Sequence, residues 1–418
     1  MEERDFYMIE ESSLKGIPLI VINRVMRNSF INILDTVLKN LKKDKGFIIV
    51  FPGMLDSHVH FNNIEKIKET KDFFTSCNIE RFCIVSPASL SGINSNSQAL
   101  CFKATYPSET YIMGGLDYSG ITRYSKNEMR KNLKQQLIRM LAIGFDGVKI
   151  LETKPNFFRQ MPFKIDEPEY EKFFETVEEE RVPIVWHVVD PPEFWDRKKI
   201  HPVALKRGWG YFSKGYPSYD EIRQRVHRVL SKFSNLKIIF AHFYFLSQNL
   251  DEAVEVLEKF MSVNFDITPG AEMYVNFSSM PDEARKFFIK YQDRIVFGTD
   301  ISVGRQFDRK GAGEKIAFMR KFLETDDEFY MPEGDINFLS ETDRIIRGIK
   351  LPVSVLEKIY EKNFHRIVGK KPAPIDMEKA LQECDRIGDI LARQFNVREN
   401  QNSGYMAQKY LEKIRRKR

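Results

Sequence analysis

Two histidines one residue apart, His58 and His60, stand in the segment Asp56-Ser57-His58-Val59-His60, at the end of the apolar run Phe47 to Leu55. Alternate side chains of a β-strand share a face, so both imidazoles can reach one cation. Such a pair is common by chance, and its meaning depends on further ligands. Residues of suitable type occupy equivalent places downstream. His187 ends Val182-Pro183-Ile184-Val185-Trp186, His242 ends Leu236-Lys237-Ile238-Ile239-Phe240-Ala241, and Asp300 ends Arg294-Ile295-Val296-Phe297-Gly298-Thr299. Four of the seven histidines and one aspartate therefore close short hydrophobic strands, which points to a metal centre. His201, His227 and His365 fall in a loop and in helical stretches, where solvated or locally hydrogen-bonded roles are expected.

Apolar runs of this kind predict eight strands: Met54–His58, Phe82–Ser86, Tyr111–Leu116, Gly147–Leu151, Val182–His187, Lys237–His242, Ser262–Asp266 and Arg294–Thr299. Helical periodicity fills the intervals. The clearest case is Asn127–Ile143, where Met129, Leu133, Leu137 and Leu141 recur every four residues behind a Ser125-to-Glu128 capping box, and Gly144 stops it. Further helices are expected over Ile64–Cys77, Glu169–Glu180, Tyr219–Lys232, Asp251–Phe260 and Asp282–Tyr291. Strands alternating with helices suit a (β/α)8 barrel or an open sheet. Metal-type residues after the first, fifth, sixth and eighth strands meet at one point only if the sheet closes, so the fold expected is an α/β, TIM-like (β/α)8 barrel with N-terminal and C-terminal helical extensions.

The expected organisation is an extension over 1–46, helix-like around Phe30–Leu41 and covering the barrel bottom, a barrel over 47–370, and a helical extension over 371–418. That last part, helical through Met377–Phe395 and again near the tail, reads as a packing or dimerisation element. Composition is ordinary for a globular protein, with 30% charged and 42% hydrophobic residues. The net charge of +6 is concentrated in two patches. Lys409 to Arg418 holds six basic groups against Glu412, and Lys39 to Lys45 holds four against Asp44. Without interleaved aromatics such patches argue against nucleic-acid binding. Four cysteines without metal-type or CxxC spacing, and no apolar run long enough to cross a bilayer, lead to the expectation of a cytoplasmic protein without a membrane role.

Taken together, Phe51-Pro52-Gly53-Met54-Leu55-Asp56-Ser57-His58-Val59-His60 resembles the opening motif of the amidohydrolase superfamily. The segments Trp186-His187-Val188-Val189-Asp190-Pro191-Pro192 and Phe297-Gly298-Thr299-Asp300 resemble its amidohydrolase-related, metal-dependent hydrolase and decarboxylase branch. The resemblance implies His58, His60, His187 and Asp300 as ligands of one divalent cation, zinc or manganese, with one ion favoured over two. In the family's hydrolases the metal lowers the pKa of a bound water, the carboxylate after strand eight takes its proton, and the histidine after strand six polarises or protonates the substrate. Those roles fall to Asp300 and His242. Lys149 stands where two-metal members carry a carbamylated lysine; it would bridge a second metal, contact substrate, or pair with Glu152 or Asp300.

The segment after the fifth strand carries Phe194, Trp195, Trp209, Tyr211, Phe212, Tyr216 and Tyr219, with Trp186 at its entrance. It is expected to act as a lid over the metal, or to form a small aromatic core of its own. The loops after strands seven and eight, Asp266 to Tyr274 and the stretch holding Arg305, Arg309 and Lys310, would face the pocket and suit an anionic substrate group, or would be simply solvated. The reading is a metal-dependent hydrolase acting on an ester, lactone or amide-like bond of a small molecule, itself carboxylated or aromatic. The alternatives are a non-oxidative decarboxylase of an aromatic or unsaturated carboxylic acid on the same site, and a catalytically silent barrel serving as a binding subunit. By analogy with similar barrels the expected assembly is a homodimer.

Overall fold

The computed structural model describes residues 11–14, 17–21, 48–50, 54–89, 93–121, 124–270, 272–332 and 344–417. Strands β1 (Glu11–Leu14) and β2 (Ile17–Val21) pair antiparallel, and β3 (Ile48–Val50) joins β2 in parallel. This small sheet is a correction to the helical N-terminal extension, as far as its described part goes. The helix expected around Phe30–Leu41 lies outside the described residues, as do Phe51–Gly53 of the opening motif.

The main sheet contains β4 (Met54–Phe61), β5 (Ile79–Val85), β6 (Thr110–Gly115), β7 (Gly147–Thr153), β8 (Pro183–Val188), β9 (Lys237–Phe240), β10 (Val263–Asp266), β11 (Ile295–Val296) and β12 (Ile301–Val303). Its order is β11-β10-β9-β8-β7-β6-β5-β4-β12, with every pairing parallel. β11 and β12 are two halves of one eighth strand. The first half pairs with β10 and the second with β4, so the sheet closes on itself as a TIM-type barrel. Across the interruption the Ser57 N–H donates to the Phe297 carbonyl and the Asp300 N–H to the His58 carbonyl, both at 2.9 Å. Gly298 sits where a Cβ would come within 2.8 Å of Ser57 Oγ and 3.1 Å of His58 Cβ, so any side chain there would push the seam apart.

All eight expected strands are present at these positions, and the helices follow the periodicity closely. Lys126–Ile143 has the Ser125–Glu128 capping box and ends at Gly144, in the left-handed region at φ 110°. Its apolar stripe, with Met129, Leu133 and Leu137 buried, packs onto the barrel wall. The expected C-terminal helices are Met377–Phe395 and Ser403–Lys417, which pack on each other and on the helix Asn96–Thr105. Arg386 donates to Asp117, just beyond the end of β6, at 2.8 Å and pairs with Glu383 on its own helix. Two of the tail's cations are paired within the chain, Lys409 with Glu399 and Arg415 with Glu378.

Among the described residues a later segment closes the barrel bottom, while most of the N-terminal extension expected to cover it lies outside the described residues. Phe364 and Ile367 of the short helix Asn363–Ile367 pack among the inward-facing Leu55, Tyr111, Val185 and Ile239. The Asn363 amide donates to the carbonyl of Ile295 at the start of the eighth strand, and the Tyr111 hydroxyl donates to Gly369. Among the described residues no helix is long and apolar enough to cross a membrane.

Candidate metal centre

The C-terminal ends of the strands carry the polar residues, because the barrel interior below them is filled by apolar side chains. β4 delivers His58 and His60 to the same side, as its two-residue repeat requires, and the interrupted eighth strand delivers Asp300. The ligand atoms of His58, His60 and Asp300 all lie within 4.8 Å of one another. His60 Nε2 is 3.0 Å and His58 Nε2 3.9 Å from Asp300 Oδ1.

Neighbouring acceptors fix both ring tautomers. His58 Nδ1–H donates to Asp266 Oδ2 at 2.9 Å, and His60 Nδ1–H to the Val85 carbonyl at 2.7 Å. Each ring therefore turns an Nε2 lone pair toward Asp300. His58 is 1% exposed, and its Nε2 is a buried polar atom without a hydrogen-bond partner. A buried lone pair aimed at a second imidazole and a carboxylate is unfavourable alone and suits a cation that accepts nitrogen and oxygen donors. Burial, aided by the Lys149 charge, lowers the His58 pKa to about 4 and keeps the ring in the neutral, ligating form. Burial works against ionisation of Asp300, whereas positive charge beside it, from the His60, His58 and His242 rings when they are protonated, holds the carboxyl well below its usual range.

The other two histidines of the pattern stand alongside. His242 and His187 have ring centroids 4.9 Å apart, and His242 is 6.1 Å from His58. The structure does not bring His187 into the three-residue cluster. Its Nε2–H donates to Asp190 Oδ1 at 3.0 Å, which leaves the lone pair on Nδ1. His242 Nδ1 faces the Thr268 carbonyl at 3.3 Å, so its lone pair is on Nε2; burial lowers its pKa. The backbone here is held in unusual conformations. His242, Phe243, Tyr244 and Phe245 all have φ of 53–56°, and Asp300 has φ 54°, a region that costs about 1–3 kcal/mol for such residues. The His242 N–H bond to Asp266 Oδ1 at 2.8 Å and the stacking of Tyr244 on Phe240, centroids 4.3 Å apart, hold the run in place.

Two aspartates organise the site although the strand-end pattern did not single them out. Asp266, fully buried, accepts from His58, from the His242 N–H and from the N–H and hydroxyl of Thr268. Asp56 accepts the N–H groups of His58 and Thr299 and the Thr299 hydroxyl, locking β4 to the eighth strand; burial raises its pKa to about 7. The signal for Asp266 was its own place at the end of an apolar run, the same signal that selected Asp300.

His58, His60, His187, His242 and Asp300 line a cavity of about 650 Å³. Lys149 lines it too, only 2% exposed and without a hydrogen-bond or ion-pair partner among the described residues; burial lowers its pKa to about 8. The Glu152 pairing considered for Lys149 is not formed, since Glu152 takes the Tyr118 hydroxyl and the Leu151 N–H instead. Lys154 also lines the cavity, its Nζ donating to Asp190 Oδ1 at 3.2 Å. Ser403, at the start of the last helix, contributes to the wall.

The aromatic segment forms its own core of Phe194, Ile200, Ala204 and Tyr211 with Trp195, Trp209 and their neighbours, the second of its two expected roles. None of these aromatics lines the cavity among the described residues. The segment reaches the site through the Tyr211 hydroxyl, which donates to Asp190 Oδ2 at 2.5 Å. Trp186 belongs to the barrel wall instead, stacked on Phe174. Arg305, Arg309 and Lys310 do not line the cavity either; Lys310 pairs with Glu314 outside it. His201, His227 and His365 have local roles: His201 caps a short helix at Val203, His227 packs on Phe260 and Tyr244, and His365 meets Arg81.

No curated protein sequence matches the chain. Among solved structures it is similar to an uncharacterised TIM-barrel protein from Bordetella bronchiseptica, at 14% identity and TM-score 0.48, over 78% of this chain and 99% of that one. Others are 2,6-dihydroxybenzoate decarboxylase from Rhizobium, at 12% identity and TM-score 0.47 over 76% and 99%, and a zinc-bound amidohydrolase from Burkholderia multivorans, at 9% identity and TM-score 0.43 over 77% and 100%. At such identities a shared substrate or metal does not follow. Residues 128–370, more than half of the chain and including His187, His242 and Asp300, match the family model described as amidohydrolase, and the chain belongs to that family.

Proposed function

We propose that this amidohydrolase-family enzyme is a metal-dependent hydrolase that cleaves an ester, lactone or amide-like bond in a small organic molecule. The observation carrying the reading is the convergence of His58, His60 and Asp300 around the unpartnered, buried Nε2 of His58. A divalent cation held there, zinc or manganese, would supply Lewis acidity toward a carbonyl oxygen and make water more acidic. His58 and His60 would ligate through Nε2. His187 would ligate through Nδ1, because Asp190 fixes its proton on Nε2. One ion is assigned, with Lys149 left as an amine facing substrate.

Asp300, held ionised, is the base that takes the proton of the attacking water. His242 in its resting tautomer accepts at Nε2, so it takes that same proton on from Asp300 and hands it to the leaving group. The test is turnover by zinc- and manganese-loaded protein against lactones, aryl esters and aromatic acids. His242→Asn is expected to keep its metal and lose about 100-fold or more in kcat. Carbon dioxide release without hydrolysis would instead assign the decarboxylase reaction. Failure to retain metal, with no difference in His58→Ala, would assign a catalytically silent barrel.

A further inference from the structure

We propose that the cavity selects substrates bearing a carboxylate apart from the reacting bond, and that Lys154 is the residue that binds it. The inference rests on the hydrolase reading only in taking this cavity as the active site. β7 turns Lys149 and Leu151 into the cavity, and Lys154 follows one residue after its end. The two amines are in different states. Lys149 is enclosed, whereas Lys154 is 29% exposed along its side chain.

An ammonium has three N–H donors, and Asp190 Oδ1 takes one from Lys154 at 3.2 Å. His187 Nε2 is only 3.5 Å from Lys154 Nζ but accepts nothing, because its own hydrogen goes to the same Asp190. Asp190 is engaged on both oxygens: Oδ1 receives His187 and Lys154, and Oδ2 receives Tyr211. Lys154 thus keeps donor capacity directed at the cavity while its stem is held in place. Asp300, the carboxylate lining the wall, is engaged by His60. The nearby carboxylates are thus already engaged, Asp190 by His187, Lys154 and Tyr211, and the N–H donors that the two amines keep at the wall suit an anionic ligand.

The donor count points to a carboxylate and not a phosphate. Among the described residues no guanidinium lines the cavity, and the two N–H donors left on Lys154 match the two oxygens of a carboxylate, short of the denser donor set that a phosphate's three oxygens and higher charge call for. Asp190 and Tyr211 are then positioning residues, through which the aromatic segment aims the Lys154 amine without touching the ligand.

Calorimetric titration with glutarate and isophthalate, each beside its neutral diamide, tests this in zinc-loaded protein and in His58→Ala. The acids are expected to bind at least about tenfold tighter than the amides. Lys154→Met should weaken the acids about 10- to 100-fold and leave the amides unchanged, and Lys154→Arg should keep most of the preference. Equal weakening of acid and amide would mean that Lys154 is structural, and unchanged acid binding would mean that it binds no carboxylate; either overturns the proposal. Inorganic phosphate displacing both acids at lower concentration would also overturn it. A Lys154-dependent acid preference that persists in His58→Ala supports the carboxylate site even if no catalysis is found. Metal-dependent hydrolysis of carboxylate-bearing esters, no faster than of their neutral counterparts and indifferent to Lys154→Met, would leave the hydrolase reading standing and remove this one.

Discussion

Replacing Asp266 by asparagine removes one charge, keeps the side chain's shape, and should act at the metal centre through a proton position. In the native protein Asp266 Oδ2 receives His58 Nδ1–H, while Oδ1 receives the His242 N–H at 2.8 Å, the Thr268 N–H at 3.1 Å and the Thr268 hydroxyl. An asparagine has two ways to sit there. With its oxygen in the Oδ1 place, three donors keep their acceptor and the new NH2 faces His58 Nδ1–H. Turned over, the amide satisfies His58 and sets its NH2 against three donors. A buried donor left unpaired costs about 1–3 kcal/mol, so the first orientation is favoured by about 2–6 kcal/mol.

In that orientation His58 relieves the clash by moving its proton from Nδ1 to Nε2, where the ligating lone pair had been. Loss of such an outer partner costs about 10- to 100-fold in metal affinity. The assay is zinc affinity by competition with a chromophoric chelator, with urea unfolding of the metal-free protein in parallel. Asp266→Asn is expected to lose affinity in that range and about 1–3 kcal/mol of stability. A folded Asp266→Asn that binds zinc as tightly as the unaltered protein would refute the reasoning, since His58 could not then be ligating through Nε2.

Further outcomes follow from other contacts. His58 stays neutral in the fold down to about pH 4, whereas the unfolded chain protonates near the ordinary 6.5; its contribution is therefore present above 6.5 and lost as pH falls toward 4. At about 1.4 kcal/mol per unit, the stability difference between metal-free protein and His58→Gln should shrink by about 3 kcal/mol over that window, read from urea melts. Phe364→Ala opens the barrel bottom where Phe364 meets Tyr111 edge-on at 5.0 Å, and should cost about 3–5 kcal/mol in unfolding while zinc affinity is retained. Tyr211→Phe strips Asp190 of its 2.5 Å hydroxyl and should speed amide exchange across residues 192–217, with barrel strands unaffected.

Much of this architecture was legible because barrel strands are short, apolar and buried, and the residue that ends each one marks its C-terminal edge. That rule located His58, His60, His187, His242 and Asp300, and the capping box and Gly144 bounded a helix to within a residue. What it could not see were contacts set by closure. Phe364 and Ile367 have the look of an ordinary helix face, and only the closed sheet shows them entering its lower end. Lys154 lies one residue past a strand end, with no periodicity to mark it, and its meaning depends on Asp190 and Tyr211 from a different loop. The charges beyond the eighth strand, conspicuous in sequence, point elsewhere. For His187 the sequence supplies the residue, whereas the Asp190 bond decides which ring nitrogen is available.

The seam of the barrel and the candidate metal centre are one structure. The eighth strand breaks at residues 297–300, between its pairing with β10 and its pairing with β4, and the break is bridged by Ser57, His58 and Asp56. The same break sets Asp300 at φ 54° and aims its carboxylate at His60. An uninterrupted ladder would have kept Asp300 in extended backbone, so the irregularity that weakens closure is what brings its carboxylate to the two histidines. A cation held by His58 and His60 from β4 and by Asp300 from the eighth strand would span that seam. Metal binding and barrel closure would then favour each other, and a bound cation would offset the strain at the seam.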